Sequence, residues 1–176
     1  MASELIVQTL KGPTSGDNAN KVIIPSGQEL YAPGHVIQVV TVTITNSTVV
    51  STGSFTDLTG ASASITPSST SSTILLMGNL NNIRNNGALF TALNLQRQIA
   101  SGGYSSLKSW DEVLGYVDNN TASVTPWYSD SPNTTSQVDY KFQARRLTGS
   151  GTSNFQARIG DGGSGQSTIT LMEIAG

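Results

Sequence analysis

The chain has 176 residues, with 9 Lys and Arg against 11 Asp and Glu, for a formal charge of -2. A nucleic-acid binder indifferent to sequence needs a basic surface to replace counterions, so neither DNA nor RNA is an expected partner. Charged residues make up 11%, Ser and Thr about a quarter, Gly 18 positions and Cys none. This profile fits an all-β extracellular module better than a cytosolic enzyme, and it excludes disulfides and thiolate metal sites, so stability must come from burial and assembly.

The first 34 residues read as an extended arm. Leu5, Ile6 and Val7 suggest a short strand, Gly12-Pro13 breaks it, Thr14 to Asn20 is polar turn material, and Val22, Ile23 and Ile24 form a second short strand. Pro25-Ser26-Gly27 turns the chain, Leu30 and Tyr31 add a last apolar touch, and Pro33-Gly34 marks a boundary. So few apolar residues cannot make a core, so the arm is expected to dock on something else through Leu5, Val7, Val22, Ile23, Ile24 and Leu30. Glu4 stands where a secretory signal needs basic residues, and Leu5 to Val7 is too short an apolar run, so the expectation is synthesis in a cytoplasm with no membrane partner.

Residues 35–176 read as one domain, long enough to bury roughly two-thirds of the surface its unfolded chain exposes. Val36 to Thr45 carries Val36, Gln38, Val40, Val42 and Ile44 on one phase, and Asn46-Ser47 reads as a hairpin turn into Thr48 to Ser51. Ala61, Ala63 and Ile65 alternate with Ser62, Ser64 and Thr66, the period of a strand with one wet face. Pro67 and the Ser68 to Ser72 run end it. Ile74, Leu75, Leu76 and Met77 form an unbroken apolar run, expected either to be covered twice or to divide between a sandwich face and a subunit contact.

Leu89 to Ile99 places Leu89, Leu93, Leu95 and Ile99 on one phase. A helix also fits Leu89, Ala92, Leu93 and Gln96, but strand is preferred. Glu112 to Asp118 follows, then Val138 to Arg145 with Val138, Tyr140, Phe142 and Ala144 inward. Phe155, Ala157 and Ile159 repeat that pattern. About eight or nine strands with turn signals every 8 to 15 residues define an all-β fold, an antiparallel β-sandwich or jelly roll.

Val36-Ile37-Gln38-Val39-Val40, Ser54 to Gly60 and Ser64 to Ser72 resemble a β-rich module of tail-fibre-like and other virion surface proteins of bacteriophages, particularly those infecting aquatic bacteria. Asp130-Ser131-Pro132 with Val138-Asp139-Tyr140-Lys141 resembles that module's penultimate hairpin, and Ser167 to Ile174 its closing strand. Ile23-Ile24-Pro25-Ser26-Gly27 with Leu30 resembles the short repeat that precedes the module. The resemblance covers most of residues 36 to 175, with a divergent middle from about Asn79 to Tyr128. It implies a virion location and a homotrimer, with the arm on capsid or tail proteins and host surface polysaccharide as a further partner. A capsid decoration (cement) protein and a carbohydrate-binding module are the alternatives.

Groups for catalysis are sparse, and no enzyme, cofactor or metal is expected. His35 is the single histidine and reads as a hinge side chain, and Asp111 and Glu112 are adjacent, which in a strand sends them to opposite faces. Gly160 to Gly165 shares the composition of a calcium loop, but those sites need stacked copies, so it reads as a hairpin tip. Lys141, Arg145, Arg146 and Arg158 form a modest basic cluster, read as a solvated face. Receptor contact is expected from aromatics in loops of the divergent middle: Tyr104, Trp110, Trp127 and Tyr128, with core packing as the other role open to the two Trp. The subunit interface is expected at Ile74, Leu75, Leu76, Met77, Leu93 and Leu95.

Overall fold

A computed structural model describes residues 11–19, 21–26, 32–115, 118, 121–156 and 166–176. Contacts divide the chain into two units, Met1–Ala32 and Pro33–Gly176. In the first, the Ala19 amide donates to the Gly16 carbonyl at 3.0 Å and the Lys21 amide to that of Asn18 at 3.1 Å, closing a turn. Val22, Ile23 and Ile24 follow it, exposed and in no strand, contrary to the strand expected there. They have no neighbouring strand to pair with among the described residues of this unit. Leu5, Val7 and Leu30 lie outside the described residues.

The second unit is all β. Its strands are β1 (Val36–Ile44), β2 (Thr48–Val50), β3 (Thr56–Ile65), β4 (Thr73–Asn86), β5 (Leu89–Ile99), β6 (Ser105–Leu114), β7 (Thr121–Val124), β8 (Trp127–Asp130), β9 (Val138–Gly149), β10 (Thr152–Phe155) and β11 (Ser167–Ile174). One sheet runs β1-β11-β4 with β8 on the far side of β4, and continues at its other end as β2-β10-β4 with β7. The other runs β3-β9-β5-β6, and every pairing is antiparallel. Apart from the β5–β6 hairpin and the interrupted pairs β1/β2, β7/β8 and β10/β11, each connection passes from one sheet to the other. That is jelly-roll topology.

The interruptions correct one sequence expectation. Asn46-Ser47 is no hairpin: β1 pairs with β11 and β2 pairs with β10, so the chain continues along the same sheet edge after a break. The strand expected at Glu112 to Asp118 is instead β6, which ends at Leu114. The one read through Phe155 is described only as Thr152–Phe155, with Ala157, Ile159 and the Gly160 to Gly165 tip outside the described residues.

Alternation along each strand builds the core. Ile74, Leu76 and Leu80 from β4 and Ile169 and Leu171 from β11 meet Leu93 and Leu95 from β5 and Tyr140, Phe142 and Ala144 from β9, all buried. Each large aliphatic side chain buried in this way contributes about 1.5–3 kcal/mol. Ile74, Leu76, Leu93 and Leu95, expected at a subunit interface, are therefore spent inside the chain, because their phase points between the sheets. Gly78 makes room on that phase: a Cβ there would sit 3.0 Å from the Phe142 ring and from Pro126 Cγ, so both would have to shift.

Polar clusters pin the interior, one of them joining the buried Asn85, Thr91 and Ser153, with Ser153 Oγ donating to Asn85 Oδ1 at 2.8 Å. Glu173, wholly buried, accepts hydrogen bonds from Ser72 Oγ at 2.6 Å, Gln38 Nε2 at 2.6 Å, and the backbone amide and hydroxyl of Ser68, both at 2.7 Å. Burial opposes its ionisation, but the four donors together outweigh that and hold the carboxyl below its ordinary range. The serine-rich segment after Pro67 is thus a clasp closing on β11. Asp130 accepts from Arg97 Nη1 at 2.8 Å and from the buried Tyr140 hydroxyl at 2.7 Å. Burial, then the hydrogen bond to Asp130, pushes the Tyr140 phenol far up, so it stays a neutral donor.

Candidate functional site

The two outer faces of the sandwich differ in chemistry. On the β1-β11-β4-β8 face, register aligns Val39 with Met172, Met172 with Leu75 and Leu75 with Ser129, and the next outward row is Thr41, Thr170, Met77 and Trp127. Val39 is 55% exposed, Met77 37% and Trp127 68%. Thr41 and Thr170 share a hydroxyl hydrogen bond of 3.1 Å. The two acids on these four strands, Asp130 and Glu173, are on the opposite phase and buried, so the outer face carries no charge where β4 runs between β11 and β8, from Thr73 to Asn79; the exposed Arg84 lies farther along β4. Leu75 and Met77 thus occupy the outward half of the run expected at an interface.

The β3-β9-β5-β6 face is polar. Asn94 Nδ2 donates to Gln143 Oε1 at 3.2 Å, and Ser109 Oγ donates to Asn94 Oδ1 at 3.1 Å. At the β3 edge, Asp57 Oδ1 accepts from Gln143 Nε2 at 2.6 Å and Oδ2 from Lys141 Nζ at 2.8 Å. Partial burial works against ionisation of Asp57. The hydrogen bonds from Lys141 and Gln143 and the ammonium charge together exceed that effect and lower its pKa. Lys141 Nζ also stands 4.1 Å from the centroid of the Tyr104 ring. These residues surround a hollow of about 410 Å³ lined by Asp57, Leu58, Thr59, Gly60, Ser62, Tyr104 and Lys141.

The four aromatics expected at a receptor site do not form one site; only Trp110 and Trp127 come together. Tyr104, 39% exposed, belongs to the polar hollow. Trp110 is half-buried on β6, its ring 6.3 Å from that of Phe142, and shares with Trp127 a cleft of about 260 Å³ between the edges of the two sheets, lined also by Val113, Val124 and Pro126. Tyr128 points inward against the core. Trp110, Trp127 and Tyr128 sit on strands rather than on the loops expected, because β6, β7 and β8 fill the divergent middle. The basic cluster also separates: Lys141 is paired with Asp57, the Arg145 guanidinium stacks 4.9 Å from the Phe55 ring centroid, and Arg146 Nη1 donates to the Gly151 carbonyl at 3.2 Å. Arg158 lies outside the described residues. Asp57 and Gln143 escaped notice as site residues because Asp57 is 84 positions from Lys141, and only the strand pairing joins them.

No family model matches the chain, and no curated protein matches it. Among solved structures it is similar to the infectious bursal disease virus Gx strain structure, at 12% identity and a TM-score of 0.46, covering 92% of this chain and 38% of that one. It is similar to the VP2 subviral particle of the same virus, at 12% identity and a TM-score of 0.45, covering 93% and 41%. A third is the Eiger TNF from S. frugiperda, at 12% identity and a TM-score of 0.45, covering 82% and 94%. The chain thus spans about two-fifths of the length of the two virus proteins.

Proposed function

We propose that this chain is a non-enzymatic structural protein of a bacteriophage particle, a fibre-like surface module that assembles as a homotrimer, is anchored by residues 1–34 and meets the host surface. The observation that carries this reading is the uncharged outer patch where β1, β11 and β8 flank the Thr73 to Asn79 stretch of β4, with Val39, Met172, Leu75, Met77 and Trp127 on adjoining rows. A solvated sheet face ordinarily carries charge, and contiguous exposed apolar surface marks an interaction site.

Three strands with four outward rows and β8 with two, spaced about 4.8 Å between strands and about 6.8 Å between rows, cover roughly 450 Å². A standard interface takes about 800 Å² from each partner, so this face supplies more than half and the arm is the natural source of the rest. Exposed Val22, Ile23 and Ile24 fit that role. The resemblance of Val36 to Val40, Ser54 to Gly60 and the closing strand to phage surface modules supports the particle assignment. The test is the mass of the full chain by sedimentation, together with its copy number in purified particles. A trimer present in the particle is expected; a monomer missing from particles overturns the reading.

A further inference from the structure

We propose that the hollow beside β3 is a binding site for a neutral glycan, with Tyr104 and Asp57 as its principal contacts; this rests on the reading of the chain as a surface module that meets a host. The hollow is a product of strand geometry. Between Asp57 and Ser62 five steps of β3 are matched by two steps of β9, from Gln143 to Lys141, so the edge strand bulges away from its partner. Gly60 sits in the bulge at a φ of 76°, a conformation that a side chain disfavours. Bulges often serve to re-aim side chains, which is the effect here, while Leu58 and Ala61 within it stay in the core.

What the bulge gathers suits a sugar. A pyranose presents an apolar patch of C–H groups edged by hydroxyls, and it is held by an aromatic ring together with polar groups that accept and donate around the rim. Tyr104 supplies the ring, with one face held by the Lys141 ammonium and more than a third of the residue open to solvent. Asp57 supplies a carboxylate kept ionised by Lys141 and Gln143, and a carboxylate makes stronger hydrogen bonds to hydroxyls than a neutral acceptor does. Thr59 and Ser62 add hydroxyls to the lining. The same ion pair selects against acidic sugars, because Asp57 neutralises Lys141 and repels a uronate. Lys141 and Gln143 are fixed before any ligand arrives, which reduces the ordering needed on binding.

Isothermal titration of the full chain should be run against dextran, mannan and galactan fragments, N-acetylglucosamine oligomers and alginate. Binding by at least one neutral chain, unaffected by salt, is expected. Tyr104→Ala and Ser62→Trp, the second filling the hollow while leaving the ion pair in place, should each weaken it at least about tenfold with unchanged thermal unfolding. Binding that survives both variants, binding confined to alginate, or no binding to any of these chains overturns the site. A wild type that trimerises yet binds none of them removes this inference and leaves the proposed function standing, so the two failures are separate.

Discussion

The outer faces of the two sheets are built by the same alternation and end in opposite chemistry. Outward positions of β9 are Asp139, Lys141, Gln143 and Arg145, whereas those of β11 are Thr168, Thr170, Met172 and Ile174. Both strands bury their other phase equally well, so core formation does not explain the difference. The charged face is one that water can solvate, and the Thr, Val and Met face is one that another protein surface can cover. What a strand places on its outer phase is the part of its sequence left free for function.

Substitutions at neighbouring positions of β4 break this comparison most sharply. Leu76→Ala should cost the isolated domain about 2–5 kcal/mol in denaturant unfolding, because it empties space between the sheets. Met77→Glu, one residue on, should leave that unfolding within about 0.5 kcal/mol while abolishing assembly. Equal losses of stability from the two would mean that the outer face is not distinct from the core.

The clasp gives the next largest effect. Glu173→Gln should destabilise by about 1–3 kcal/mol at neutral pH, because charge-assisted bonds from Ser68, Ser72 and Gln38 are weakened. The folded pKa of Glu173 lies below its unfolded value, so its stabilisation is present above the unfolded value of about 4.3 and fades as pH falls through the folded one. A pH series of unfolding midpoints should therefore show a shallower acid limb in the variant. The smallest effect belongs to the polar face: Asp57→Asn should change stability by less than about 1 kcal/mol, since the Asp57 side chain is more than half exposed. A thermal melt of this variant beside Glu173→Gln ranks the two carboxylates.

Strand existence was legible wherever alternation was clean. Val138 to Ala144 reads inward and outward in the sequence as it does in the fold, and Leu89 to Ile99 is a strand as preferred, with Leu89, Leu93 and Leu95 buried. The run from Ile74 to Met77 was harder, because four apolar residues in a row hide the phase. Only the sheet separates Ile74 and Leu76, inside, from Leu75 and Met77, outside. β7 and β8 went unread because each has four residues and Pro126 interrupts them. The hollow was invisible in principle, since it depends on a register shift that joins Asp57 to Lys141, and no local pattern encodes a register shift between distant strands.

Sedimentation equilibrium of the wild-type chain alongside Met77→Glu tests most directly whether the uncharged face exists to be covered. The wild type should sediment with three times the mass of one chain and the variant with that of one. A wild type that remains a single chain at every accessible concentration, with the variant indistinguishable from it, contradicts the account.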